Sequence, residues 1–248
     1  IVPAFFIYGI FNMKFSCIIP AAGKGNRFGS MIPKQFLCVQ DVMIIEHAIH
    51  SILMGFRTAG IETLSMIIPC ADEYQDSIYD CCIKYLPEHA FAMVPGGETR
   101  QDSILKAMQH PLILDSDIVC IHDAARPFIP QVVMQHLISA SQDHDCIIPV
   151  LDIHDTLKEV DHTSVLSTLD RTRYKLAQTP QFFKTKNYLH ALELRDNQSM
   201  YTDDSSIMEH AGFTVHTVQG SDIMRKVTHP YDLELAEYHA RLIKDIHE

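Results

Sequence analysis

The chain has 248 residues, 47% of them hydrophobic, and a formal net charge of −11. That is enough apolar material for one sizeable core, so a single large α/β domain, or one domain with an appendage, is expected. The negative balance excludes a general nucleic-acid or membrane-surface binder but leaves room for a locally cationic pocket.

Seven cysteines form no CxxC pair. Their odd number indicates neither a disulfide framework nor a zinc site, and points to a reducing cytoplasm. The fifteen histidines are scattered and offer no closing set of metal ligands.

Residues 1–12 are apolar and uncharged. They are too few to span a bilayer, which takes about 20 residues, and lack the basic leader of a signal peptide. They read as an extension upstream of Met13, with one domain over residues 13–248.

Residues 15–19 form a short apolar run that reads as a buried strand. It breaks at Pro20 into a loop with Gly23, Gly25 and Gly29, threaded by Lys24, Arg27 and Lys34. Small residues allow close backbone approach, so several N–H groups can face one anion. A Walker loop needs Ser or Thr after Gly-Lys, but Gly25 follows Lys24. A dinucleotide fingerprint needs a third glycine where Phe28 stands. A dinucleotide pyrophosphate carries about two charges, which a helix N-terminus largely meets. A nucleoside triphosphate carries about four and calls for added cations, so the three in this loop favour a triphosphate.

Helical spacing follows over 44–56, then a strand over 63–69 and a helix over 72–85 with Asp72 as its cap. A strand over 91–94 leads into Gly96-Gly-Glu-Thr-Arg-Gln-Asp-Ser103 and a helix to 108. A strand over 117–121 runs into His122-Asp-Ala-Ala-Arg-Pro127, followed by a helix over 131–141 and a strand over 146–151. This alternation predicts a parallel sheet with helices on both faces. Ligands bind at the carboxyl ends of such strands. The polar sets after Pro20, Val94 and Ile121 therefore converge on one cleft.

The rhythm changes over about 152–172. Two short strands, 154–160 and 164–169, flank Asp161-His-Thr and read as a hairpin standing off the sheet. A hairpin this small is not stable alone and should pack on a second subunit. Arg171-Thr-Arg-Tyr-Lys175 and Thr179-Pro-Gln-Phe-Phe183 come next. Helices are expected over 184–195 and 203–211, a strand over 214–219, and a closing helix with Pro230 in its first turn. Thr202-Asp-Asp-Ser205 reads as a helix cap, with ligand contact as the alternative.

Arg27 and Lys34 suit the charge that builds up during phosphoryl or nucleotidyl transfer. Asp123 could hold Mg²⁺, receive a ligand hydroxyl, or serve as a turn residue, and Arg126 could pair with an acid to hold the loop. Residues 96–103 could cradle a base or ribose through backbone groups and the Ser103 hydroxyl. A second set of cations, Arg171, Arg173, Lys175, Arg225 and Lys226, would fit an anionic co-substrate if it shares the cleft. A phosphate monoester is already an ionised nucleophile and needs no general base.

Taken together, Pro20-Ala-Ala-Gly-x-Gly-x-Arg27, Pro33-Lys34-Gln35, Gly96-Gly97-x-x-Arg100-x-x-Ser103 and His122-Asp-Ala-Ala-Arg-Pro127 resemble the 2-C-methyl-D-erythritol 4-phosphate cytidylyltransferases. Asp170-Arg171, Thr179-Pro-Gln-Phe-Phe183 and Lys226-Val-Thr228 follow in the same order, so the resemblance covers nearly the whole chain. It implies a Rossmann-like nucleotidyltransferase (GT-A-like) fold with a β-arm that clasps a second subunit in a homodimer. It also implies CTP and Mg²⁺ as co-substrate and metal. Pro20, Ala21, Ala22, Gly23 and Gly25 of the first loop, Gly97 and Ser103 of the second, and Asp123 with Ala124 of the third would bind CTP. Arg27, Lys34, Lys226 and Arg171 would act in catalysis, Arg171 from across the dimer. Thr156, Thr179 and Arg126 would join Arg171 and Lys226 around the methylerythritol phosphate, and Asp123 is the candidate metal ligand. Met224-Arg225 departs from the family's usual Asn followed by an apolar residue. A ribitol 5-phosphate cytidylyltransferase, a nucleotide-binding module without catalysis, and, against Phe28, an NAD-dependent oxidoreductase remain the alternatives.

Overall fold

The computed structural model describes residues 13–23, 32–196 and 201–247. Arg27 and Gly25 lie outside the described residues, as does the extension over 1–12.

Four parallel strands make the frame: β1 (Phe15–Ile18), a small hairpin of β2 (Cys38–Val39) and β3 (Val42–Met43) aside, β4 (Leu64–Cys70), β5 (Phe91–Pro95) and β6 (Ile118–Ile121). All four residues of β1 and of β6 are buried, as expected of strands covered on both faces. The sheet continues with β7 (Cys146–Asp152), and its arm is β8 (Lys158–Asp161) with β9 (Ser164–Thr168). Then come β10 (Lys175–Ala177), β11 (Gln181–Lys184) and β12 (Val215–Gln219). The order is β10-β7-β11-β6-β1-β4-β5, with β12 on the other side of β7.

From β1 the chain moves outward to β4 and β5, then returns to place β6 on the opposite side of β1. The strand order reverses there, which opens a crevice at the carboxyl ends of β1 and β6.

Helices α1 (Ile44–Thr58), α2 (Gln75–Ile83) and α5 (Gln131–Ala140) cover one face. Helices α3 (Arg100–Met108), α4 (Pro111–Leu114), α6 (Thr185–Leu194) and α7 (Asp204–His210) cover the other. Ile45, Ile49, Ile52 and Phe56 recur along α1 at helical spacing and are all buried. Gly55 lets α5 come close, since a Cβ there would lie 2.5 Å from Met134 Cγ. The last helix, α8 (Pro230–His247), packs Ala236 and Ala240 against Val39, Ile44 and Val227.

Several expectations need correction. The strands expected to be parallel, β1, β4, β5, β6 and β7, share one direction, but two strands that were not foreseen run against them: β11 enters antiparallel between β6 and β7, and β10 extends the same edge of β7. The sequence hid β11 because Pro180 stands immediately before it and proline cannot donate to the ladder. Gln178 N bridges the gap by donating to Pro149 O at 2.8 Å.

Asp72 does not cap α2. Residues 72–74 form a separate 3-10 turn, Tyr74 precedes the helix, and Asp72 Oδ1 accepts from the Gln75 side chain. The β2–β3 hairpin was unforeseen because Gln40 and Asp41, rather than Asn-Gly, take φ of 49° and 60°. The first arm strand begins at Lys158, not 154, and Arg171 donates to the His154 carbonyl before it. On the arm Val160, Val165 and Leu166 are 58%, 60% and 61% exposed, so three apolar side chains of the hairpin are left uncovered by the described residues.

Candidate active site

Three loops meet at the crevice. The first leaves β1, where Ala21 N donates to Pro69 O at 2.8 Å. Pro33 then starts a short 3-10 turn, Lys34–Phe36. Its buried Gln35 donates Nε2 to Ala21 O at 2.6 Å and Gly23 O at 2.9 Å. One amide thereby ties both ends of the glycine loop together and fixes Lys34 beside residues 20–23.

The second loop leaves β5. Gly96 N donates to Cys70 O, and Gly97 N donates to Ser103 Oγ at 2.9 Å. A Cβ on Gly96 would stand 2.2 Å from the Ala22 Cβ, so the first two loops touch where only glycine fits. Thr99 starts α3 with a capping box closed by Asp102. Arg100, the first residue of that helix, thus points into the crevice.

The third loop leaves β6, and a hydrogen-bond relay holds it. Asp123 N donates to Thr179 Oγ1 at 3.0 Å. The Thr179 hydroxyl then has its proton free for His122 Nδ1, 3.1 Å away. That leaves His122 Nε2–H to donate to Arg126 O at 2.9 Å. Full burial pulls the His122 imidazole down to about 4, so it stays neutral and keeps this tautomer.

Asp123 is the hub of the site. Its Oδ1 accepts from Arg100 Nε at 3.0 Å, and its Oδ2 accepts from Lys226 Nζ at 2.8 Å. Arg126 Nε stands 3.5 Å from the same Oδ2. Burial alone would raise the Asp123 carboxyl, but Arg100, Lys226 and Arg126 outweigh it and hold the group well below the usual carboxylate range. Arg126 also donates Nη1 to Met224 O at 2.7 Å, and Val227 N donates to Ala125 O. These bonds seat Lys226 over the crevice. Behind it, Asp232 accepts from Thr228 N, Thr228 Oγ1, His229 N and Arg225 Nε.

The cavity so enclosed has a volume of about 940 Å³, at the upper end for small-molecule sites. Pro20, Ala22, Gly23, Lys34, Gly97, Ser103, Asp123, Ala124 and Lys226 all line it. Ala21 lies beneath, its carbonyl engaged by Gln35. Thr179 and Arg126 stand behind Asp123 rather than on the wall. Thr156 and Arg171 sit on the exposed arm, outside the cavity of the single chain. Of the second cationic set, only Lys226 reaches the cleft, and Arg225 is turned to Asp232.

Sequence reasoning gave no role to Gln35, Lys106 or Thr228, and quoted Arg100 only as a motif letter. Arg100, Lys106 and Thr228 line the wall. The capping pattern Thr99-x-x-Asp102 could have pointed to Arg100, because it fixes which residue begins the helix. On the wall Lys34, Arg100, Lys106 and Lys226 outnumber Asp123 and Glu98. An acidic protein has thus gathered cations around one hollow.

The sequence profile of 2-C-methyl-D-erythritol 4-phosphate cytidylyltransferase matches residues 15–241. This chain belongs to that family. A cytidylyltransferase of the family from Bacillus anthracis is 34% identical over 224 residues, covering 90% of this chain and 96% of its own. A bifunctional IspD/IspF enzyme of Granulibacter bethesdensis is 38% identical over 225 residues, and this chain spans 56% of its length. Among solved structures, the 4-diphosphocytidyl-2C-methyl-D-erythritol synthase of Anaerococcus prevotii superposes with a TM-score of 0.76 at 26% identity, over 92% of this chain and 99% of its own. The cytidylyltransferase of Thermus thermophilus gives 0.72 at 28% identity, over 92% and 100%.

For a cytidylyltransferase, a cation-walled cleft of this size is the expected receptacle for a nucleoside triphosphate. The same wall does not fit a protein-held Mg²⁺. Both Asp123 oxygens are taken by cations, and no group of three acidic, His or Cys side chains that could hold a metal occurs among the described residues. Magnesium demands an oxygen-rich octahedron, which these side chains do not supply.

Proposed function

We propose that this cytidylyltransferase transfers CMP from CTP to 2-C-methyl-D-erythritol 4-phosphate within the cleft around Asp123. The observation that supports it is the convergence of Lys34 and Lys226, from opposite ends of the chain, on one cavity with the Gly96-Gly97 turn. The base and ribose lie on residues 97–103, and the triphosphate follows the loop after β1. A phosphate oxygen of the alcohol phosphate attacks the α-phosphorus, forming the new P–O bond. The bond from the α-phosphorus to the bridging oxygen breaks, and pyrophosphate leaves with the electron pair. Lys34 offsets the growing charge on the α-phosphate, a role also assigned to Arg27. Lys226 holds the attacking phosphate. No group has to take a proton, which agrees with an Asp123 carboxyl that its cationic neighbours keep ionised.

The arm supplies the rest. Two chains pair through the apolar surface at Val160, Val165 and Leu166, and each arm brings Arg171 and Thr156 to the other chain's co-substrate pocket. The exposure of that hairpin supports this pairing. No helix among the described residues is long and apolar enough to cross a membrane, and the site of action is the cytoplasm.

The test is pyrophosphate release from CTP with methylerythritol phosphate and Mg²⁺, run beside ribitol 5-phosphate. Turnover with methylerythritol phosphate is expected. Turnover with ribitol 5-phosphate alone overturns the assignment of the co-substrate, and CTP binding without any turnover leaves a nucleotide-binding module.

A further inference from the structure

Asp203 and Asp204 are neighbours with opposite fates. Asp203 caps α7: it accepts from Ser206 N at 3.1 Å, Ser205 Oγ at 2.8 Å and Gln181 Nε2 at 2.7 Å. One cap satisfies that helix end, so the second acid is not needed there. Asp204 instead turns inward and is 1% exposed. Its Oδ1 accepts from Tyr188 OH at 3.0 Å, and its Oδ2 stands 2.8 Å from Arg100 Nη1. Burying a carboxylate is costly, and an apolar residue of similar size would often be more stable.

We propose that Asp204 is a positioning residue for nucleotidyl transfer, acting through Arg100 on Asp123. Arg100 is shared between two carboxylates. Nη1 faces Asp204 in the core, and Nε faces Asp123 in the cleft at 3.0 Å. With one edge of the fork pinned, the guanidinium cannot swing toward a phosphate. Its Nε then fixes the plane of the Asp123 carboxylate and leaves Oδ2 to receive Lys226 at 2.8 Å. The linkage runs from Tyr188 on α6 through Asp204, Arg100 and Asp123 to Lys226, five separate segments of the chain. Asp204 itself lines no part of the cavity. It also occupies part of the Arg100 charge, which would otherwise bind the triphosphate in the ground state without favouring the transition state.

The inference rests on the cytidylyltransfer reading, and kinetics separate the two. Asp204→Asn keeps the shape but removes the charge that faces Arg100 Nη1 and leaves one oxygen, for Tyr188. It is expected to lower kcat by roughly 10- to 100-fold, as for a small misplacement of reacting groups, with the KM for CTP changed by less than about threefold. Arg100→Lys, whose point charge cannot span two carboxylates, should show the same split, and it decides the matter if Asp204→Asn does not fold. The double variant should be no worse than Arg100→Lys alone, because both changes break one linkage. Additive losses, or a lower Tm with unchanged kcat per folded molecule, overturn the positioning role. A wild-type enzyme without turnover removes the functional reading, and this inference with it.

Discussion

Lys226 Nζ lies 2.8 Å from Asp123 Oδ2 although 103 residues separate them. The contact is made by the fold and not by local sequence. It depends on Val227 pairing with Ala125 and on Arg126 reaching the Met224 carbonyl. Asp123 is consequently the counter-charge for Arg100, Arg126 and Lys226 together. Asp123→Asn leaves those cations facing one another in a partly dry cleft. Breaking a buried pair costs about 3–5 kcal/mol, and the lower end applies because Arg100 and Lys226 keep some contact with water. The expected result is a lower urea midpoint together with lost turnover. A midpoint equal to that of the wild type would remove Asp123 from the centre of the network.

Lys34 is held by a different device. Gln35 anchors the loop beneath it at Ala21 and Gly23, so the backbone that carries this lysine on the cleft wall is placed before the nucleotide arrives. A preorganised charge acts mainly on the transition state. Lys34→Ala should therefore cut kcat by roughly 10²- to 10³-fold, as removal of an oxyanion-hole donor does, and change the KM for CTP much less. Steady-state kinetics over a CTP series measure both. A loss confined to KM would make Lys34 a ground-state binding group only.

The sequence made the crevice legible because it is built from local punctuation. A strand runs into a loop of small and polar residues at Pro20, Gly96 and His122, and the carboxyl ends of parallel strands lie on one side. What stayed hidden is what depends on distant partners. The sequence could not show that Arg100 sits between Asp123 and Asp204, because the three belong to separate segments brought together only by packing. The antiparallel strand β11 was hidden by Pro180, and the roles of Asp203 and Asp204 look alike until the helix they begin is seen from inside. Thr179, attributed to the co-substrate pocket by resemblance, lies behind Asp123 as a link to His122.

Arg171 and Lys226 test the arm. In the single chain Arg171 is exposed and bonded to the His154 carbonyl, far in role from the Lys226 cleft. If the arm serves a partner's cleft, each site combines one chain's Lys226 with the other's Arg171. Arg171→Ala and Lys226→Ala proteins, each nearly inactive, should then regain activity when mixed and allowed to exchange subunits. Half the dimers would be mixed, each with one intact site, so about a quarter of wild-type activity is expected for a twofold dimer. No recovery, with exchange verified by differently tagged chains, places both residues in the same chain's site or outside it.

The wall chemistry bears on the metal. With both Asp123 oxygens engaged by cations, Mg²⁺ added to the free protein has no carboxylate cage to enter. Calorimetric titration of Mg²⁺ into nucleotide-free protein should give no saturable binding in the millimolar range, whereas CTP binding should become tighter when Mg²⁺ is present. A stoichiometric Mg²⁺ site without nucleotide, lost in Asp123→Asn, would restore Asp123 as a direct ligand.

His122 gives the fold a pH dependence with a definite sign. In the unfolded chain its pKa is about 6.5; in the folded protein burial lowers it to about 4. As pH falls through this window the unfolded state takes up a proton that the folded state refuses, so unfolding becomes easier. The full contribution is present above about pH 6.5 and is lost progressively down to about pH 4. It amounts to ~2 kcal/mol between pH 7 and pH 5. His122→Gln keeps an N–H for the Arg126 carbonyl but has no site to protonate. Urea unfolding at the two pH values should show a difference about 2 kcal/mol smaller in His122→Gln than in the wild type. An equal difference in both proteins would mean that His122 already carries a proton in the fold, with Thr179 Oγ1 accepting from both Asp123 N and His122 Nδ1.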